Sequence, residues 1–240
     1  MTPLRRTRLH YDWHWVWPTG NGDLGNQGIH QMDLARWALG KSDLSPRVLS
    51  VGGRLGYDDD GTVANTQFVV HDYGDSQLIF EVRGLASSLS SEQMDKYRGE
   101  GVGTVVECEH GYLADAIAYD QAGKRIKAFS GQHEDHFANF IKAMRSRKNS
   151  DLNADILQGH LSSALCHTGN ISYQLGTQAD PDEIHEAIKA DKAALETMGR
   201  MEEHLAANGV DLHKTKLTVG MPLKMDGKNE RFIDNKKADV

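Results

Sequence analysis

Several classes of protein are excluded by what this chain lacks. Its 240 residues hold only two cysteines, Cys108 and Cys166, and neither sits in a C-x-x-C or zinc-ligand spacing. The pair reads as two small buried hydrophobes in a reducing compartment, which points to the cytoplasm. No run of about 18 apolar residues occurs, so no membrane-spanning helix and no membrane partner is expected. The first twenty residues lack the apolar stretch of a signal peptide. Basic charge is also short, with 27 Lys and Arg against 34 Asp and Glu and a net charge of −7. A nucleic-acid binder would need a basic face, so none is expected. Arg5, Arg6 and Arg8 form only a short solvated arm. Internal repeats and low-complexity segments are absent as well.

What is present belongs to an ordinary globular chain, with 39% hydrophobic and 25% charged residues. Residues 1–18 read as an N-terminal arm in which Trp13, Trp15 and Trp17 alternate. Alternation places three indoles on one side of an extended segment. Such a side suits either docking on the body of the protein or stacking on a sugar ring. "GIHQMDLARWALG" then predicts a mostly apolar helix ending at Gly40. Strand patterns follow in "PRVLSVGGRLGY", "TQFVVHDY" and "QLIFEVRGL", joined by Asp/Gly turns. Two hairpins are predicted next, turning at His110-Gly111 and at Gln121 to Gly123.

The second half is helical. Phe137, Phe140, Ile141 and Met144 fall at helical spacing. A further helix opens on Asn153 as N-cap and ends at Gly176. Asp180-Pro181-Asp182-Glu183 predicts a capped helix running to about Asn208-Gly209, and the tail holds one strand-like piece. The expected fold class is α+β, an open and mostly antiparallel sheet covered by helices. Residues 19–179 are expected to form one α+β domain. Residues 180–240 would be a C-terminal helix and tail packed on that domain.

The stretch "TGNGDLGNQGIHQMD" carries G-x-G-x-x-G at Gly20, Gly22 and Gly25. A dinucleotide fingerprint should follow a buried parallel strand and precede an acid by about 20 residues. Here the preceding segment is aromatic and broken by Pro18, Asp23 sits inside the triplet, and Asp58 to Asp60 come too late. No cofactor-binding residue is therefore assigned to this loop.

The same stretch resembles another motif. Members of the Gfo/Idh/MocA family of nicotinamide-dependent sugar and polyol oxidoreductases typically begin their second domain with a glycine-rich turn, D-x-x-x-H and a helix. Gly20-Asn21-Gly22, Asn26 to His30 and the helix through Asp33 fit that pattern. "GGRLGYDDDGTVANTQ", "LIFEVRGL" and the helical segment from His133 to Gly176 resemble the same family. The likeness covers roughly Leu9 to the end. It implies that His30 is the catalytic base, joined by Asn26 at the position of the family's aspartate. Asn21, Asp23, Gln27 and Trp15 would contact substrate, and Asp33 would orient the imidazole.

Two departures matter. The family's Rossmann domain and its E-K-P lysine have no counterpart here. Asn26, an amide, cannot relay a proton as a carboxylate does. The resemblance therefore implies the substrate-binding half of an oxidoreductase, inactive alone. NAD or NADP would be held mainly by a missing domain or a separate Rossmann-domain chain. The substrate would be a sugar or polyol, and the assembly a homodimer or tetramer. The alternative is a non-catalytic carbohydrate-binding or assembly module derived from that family.

Other features point to bland roles. His133 and His136 lack a third metal ligand, His160 and His167 suit packing or hydrogen bonding, and "DDDG" at Asp58 to Gly61 reads as a turn. Arg83 faces either a cleft or solvent.

Overall fold

The computed structural model describes residues 12–131 and 134–239. A 3₁₀ turn at Trp13–Trp15 leads into α1 (Gly22–Asn26) and α2 (Gly28–Ala38). Three long strands follow, β1 (Arg47–Gly53), β2 (Thr66–Asp72) and β3 (Gln77–Arg83). A four-stranded meander comes next: β4 (Val105–Cys108), β5 (Gly111–Ala114), β6 (Ile117–Asp120) and β7 (Arg125–Ala128). The chain continues through α3 (His136–Ser146), α4 (Ile156–Gln174), β8 (Thr177–Ala179), α5 (Pro181–Ile188) and α6 (Lys192–Ala207). It closes with β9 (Leu217–Val219), β10 (Leu223–Asp226) and β11 (Arg231–Ile233).

The main sheet runs β11-β10-β1-β2-β3, with β9 on β1 and β8 on β9, and its strand pairs are antiparallel. This is the expected α+β architecture, an open sheet covered by helices. Both faces of the centre are covered, which is why β2 is buried almost end to end instead of alternating. Val48, Val69, Leu78 and Val82 pack on Met32 of α2 and on Leu161 and Leu165 of α4. Val51, Phe68 and Val70 pack on Ile184 of α5 and on Met198, Met201 and Leu205 of α6. Close approach of α4 to β2 depends on Gly169, where a Cβ would lie 2.8 and 2.9 Å from the Val69 methyls.

Local signals fail at five places. The three tryptophans do not share one side, because Trp13–Trp15 winds as a 3₁₀ turn, which rotates alternate residues apart. "YLADAIAY" is two strands, not one, broken by a turn at Asp115 and Ala116 with φ of 44° and 57°. Asp155 rather than Asn153 caps α4, accepting from the Leu157 amide at 2.9 Å. The helix opened by the Asp180/Glu183 capping box stops at Ile188, and Asp191 caps a new one. Finally, the tail supplies three strands instead of one, because β9 and β10 find partners on β1.

Candidate functional site

The glycine-rich loop earns its glycines by packing. A Cβ on Gly20 would overlap the carbonyls of Trp13 and His14, and one on Gly25 would overlap the Asn21 side chain. Gly22 has φ of +67° and faces Val63. Loop amides are already used, since those of Thr19 and Gly20 donate to the Val16 carbonyl at 2.9 Å. Asp23 stands half-buried in the first turn of α1, where a pyrophosphate would need donors. Burial raises its pKa, against the opposing pull of a Trp15 hydrogen bond and the charges of His14 and Arg54. These residues do not fit a dinucleotide phosphate.

Beyond the loop, the end of α1 and the start of α2 present two polar stripes. Asn26 and His30 are exposed, one helical turn apart. About 100° round the helix, Gln27 and Gln31 form a second stripe, joined by a 3.3 Å hydrogen bond. Asp23, Gln27 and Gln31 line a cleft of about 1130 Å³ that follows β3, the end strand of the sheet. His30 and Asn26 stand beside this cleft and do not line it.

The remaining predicted residues tie this end of the molecule together. Asn21 accepts from Asn170 Nδ2 of α4 at 3.0 Å through its carbonyl. Trp15 accepts at its carbonyl from the amides of Thr62, at 2.8 Å, and Val63, at 3.2 Å. Asp33 lies one turn beyond His30. Its Oδ1 accepts from Ser162 Oγ of α4 at 2.6 Å and from Arg36 Nη2 at 3.3 Å. Arg36 is 2% exposed, and it donates to Ser162 Oγ at 3.1 Å, the Lys41 carbonyl at 2.8 Å and Gln158 Oε1 at 2.7 Å. A buried guanidinium thus locks α2 to α4.

Sequence reasoning missed the far wall of the cleft. Arg83 faces the cleft, not solvent, and pairs with Glu81, which also accepts from Arg200 of α6. Asp95 lies 4.0 Å from Arg83 and 3.1 Å from His204 Nδ1. Burial lowers the pKa of Arg83, while Glu81 and Asp95 oppose the shift. Burial likewise lowers that of His204, against Asp95. Position in an alternating strand was the only available signal, and only for Arg83.

The other flagged residues resolve locally. Asp59 accepts from Arg54 Nε at 2.7 Å and from the Gly61 amide at 3.0 Å, which makes "DDDG" a turn. His160 pairs with Glu230 at 2.8 Å. His133 lies outside the described residues, and among the described residues no group of three or more His, Cys, Asp or Glu could hold a metal. Cys108 is exposed at the end of β4, where the sequence predicts burial, because the meander's edge is uncovered; Cys166 is buried. No helix among the described residues is long and apolar enough to cross a membrane.

Residues 1–203 match the profile of an oxidoreductase family, as its C-terminal alpha/beta domain. No curated protein matches the chain.

Proposed function

Because this chain belongs to the Gfo/Idh/MocA oxidoreductase family, as its C-terminal alpha/beta domain, we propose that it forms the substrate-binding half of an NAD(P)-dependent enzyme acting on a sugar or polyol hydroxyl. One observation carries the reading. An exposed histidine at the start of α2, His30, has Asn26 one turn before it and the Asp23, Gln27 and Gln31 stripe beside it on the cleft. Side-chain amides and a carboxylate are the donors and acceptors that sugar hydroxyls require.

Oxidising a carbinol needs a base for the hydroxyl proton. Imidazole suits that role near neutral pH. His30 would take the proton, and Asn26 would fix the hydroxyl by hydrogen bonding without sharing charge. Asp33 would act through the helix, by holding α2 against α4. Trp15 and Asn21 would keep the loop under the substrate in place. NAD or NADP would be held by a nucleotide-binding domain, since the glycine loop does not fit it. The two free cysteines support a reducing compartment such as the cytoplasm.

Titrating the chain with aldoses and polyols, with and without NAD(P)+, tests this. Sugar binding without turnover is expected, together with loss of turnover in His30→Ala when a nucleotide-binding partner is supplied. Micromolar dinucleotide binding to the chain would overturn the reading of the loop. Sugar binding that leads to no turnover, even with NAD(P)+ and a nucleotide-binding partner supplied, would favour the non-catalytic carbohydrate-binding module, for which Asn26 in place of a carboxylate already speaks.

A further inference from the structure

Buried polar atoms without a partner gather on one side of the cleft. Residues alternate along β3, so Leu78, Phe80 and Val82 pack towards α2, while Ile79, Glu81 and Arg83 point towards α6. The cleft therefore bends round the outer edge of this end strand, with Asp23, Gln27 and Gln31 on one side and a stripe of α6 on the other. That stripe, Ala193, Thr197, Arg200, His204 and Ala207, repeats at helical spacing. On it the His204 residue is 4% exposed, and its Nε2 has no hydrogen-bond partner among the described residues. Arg200 Nε is likewise buried and unpaired. Thr104 Oγ1, just before β4 on the same cleft, is a third such atom.

A polar atom left unpaired in a buried wall costs free energy that a ligand can recover. His204 Nδ1 stands 3.1 Å from Asp95 Oδ2. A carboxylate there favours the tautomer with its proton on Nδ1, which leaves Nε2 as an acceptor. Arg200 Nε, one helical turn back, is a donor only, and a threonine hydroxyl is both. An acceptor beside a donor matches hydroxyl groups, which give one hydrogen bond and take another. A phosphate or carboxylate offers acceptors alone and would meet the Nε2 lone pair. Charge argues the same way. Eight acidic side chains line the cleft against three basic ones, and Arg83 and Arg200 are already paired with Glu81.

We infer that the substrate is an uncharged disaccharide or longer glycoside, whose second ring is held on the α6 side by His204, Arg200 and Thr104. The inference rests on the sugar reading above and extends it. α2 and α6 pack on opposite faces of the sheet, so one six-membered ring cannot touch both. Size agrees. The cleft of about 1130 Å³ exceeds the roughly 300–1,000 Å³ that holds a whole drug-sized ligand, and one ring fills only a fraction of it. Met94, 52% exposed on the same lining, offers apolar surface to the C–H face of the second ring. His204 thus binds the substrate away from the hydroxyl that His30 would deprotonate.

The test is calorimetry on the whole chain with cellobiose, maltose and lactose, set against glucose, galactose and cellobiouronic acid. At least one neutral disaccharide should bind tenfold or more tighter than its constituent monosaccharides, the worth of one or two further hydrogen bonds. His204→Phe and Thr104→Val keep side-chain size and remove the polar atoms. Each should lower the disaccharide-to-monosaccharide affinity ratio at least threefold, and His204→Gln should restore part of it. Gln31→Ala, on the other side of β3, should weaken both sugars and keep the ratio. Thr104 is only half-buried, so Thr104→Val still decides the matter if His204→Phe does not fold. Monosaccharide binding with no gain for any disaccharide would overturn the inference and leave the sugar reading standing. No binding of any sugar would remove both. Cellobiouronic acid binding as tightly as cellobiose would overturn the assignment of an uncharged ligand.

Discussion

Replacing Arg36 by alanine would remove a buried cation that spans α2 and α4. The guanidinium is 2% exposed and holds the Lys41 carbonyl, Gln158 Oε1, Ser162 Oγ and Asp33 Oδ1. Removing one partner of a buried ion pair costs roughly 3–5 kcal/mol when the other is left dry. Asp33 is 34% exposed and keeps its bond from Ser162, so it resolvates in part and that component is discounted. The Lys41 carbonyl and the Gln158 amide lose a charged donor, and the buried stem leaves a void. The expected loss is about 3 kcal/mol. In a chain of this size that lowers Tm by roughly 6–12 °C. Asp33→Asn keeps an acceptor for Ser162 and should cost about 1 kcal/mol. Urea denaturation of both single variants and the double variant gives the coupling directly. A loss under about 1 kcal/mol for Arg36→Ala would refute the argument, because water would then have replaced the whole network.

Three further outcomes are expected. Along α4, Gly159→Ala meets nothing within 4 Å and should stabilise by up to about 1 kcal/mol, whereas Gly169→Ala strikes Val69 at 2.8 Å and should destabilise by about 1–3 kcal/mol; equal effects in chemical denaturation would rule this out. His71 is fully buried, with Nδ1 3.1 Å from Ser45 Oγ, and burial pushes its pKa down to about 3. Its folded pKa lies below the unfolded value, so the unfolded chain binds more protons as pH falls below about 6.5, and stability is lost towards pH 3. Between pH 6.5 and 4 the native chain should therefore lose about 3 kcal/mol more than His71→Gln, and parallel stability curves would count against it. One thiol, Cys108, should react in the native chain and two in denaturant, because the Cys166 thiol is buried and pushed up to about 12. Two fast native thiols would show that α4 does not shield Cys166.

Much of the fold was legible because its signals are short-range. The apolar spacing of "GIHQMDLARWALG" and the Asp180-Pro181 capping box act within one helical turn, and both elements form where those residues stand. The strand patterns of β1, β2 and β3 and the turns between them are equally local, and the glycine-rich stretch with His30 carried the family. Tertiary structure decided the rest. Gly159 and Gly169 look alike on one helix, and only the approach of β2 tells them apart. Arg83 finds Asp95 and the Glu81–Arg200 pair because the sheet and α6 bring residues more than a hundred apart to one wall. Asp33 turns to Ser162, 129 residues away, for the same reason. Short-range signals reach about four residues, whereas ion pairs and burial depend on which surfaces the completed sheet brings together. The exposed face of α3 belongs with them: its amphipathic pattern is written in the sequence, but only the fold shows that its apolar side stays exposed among the described residues.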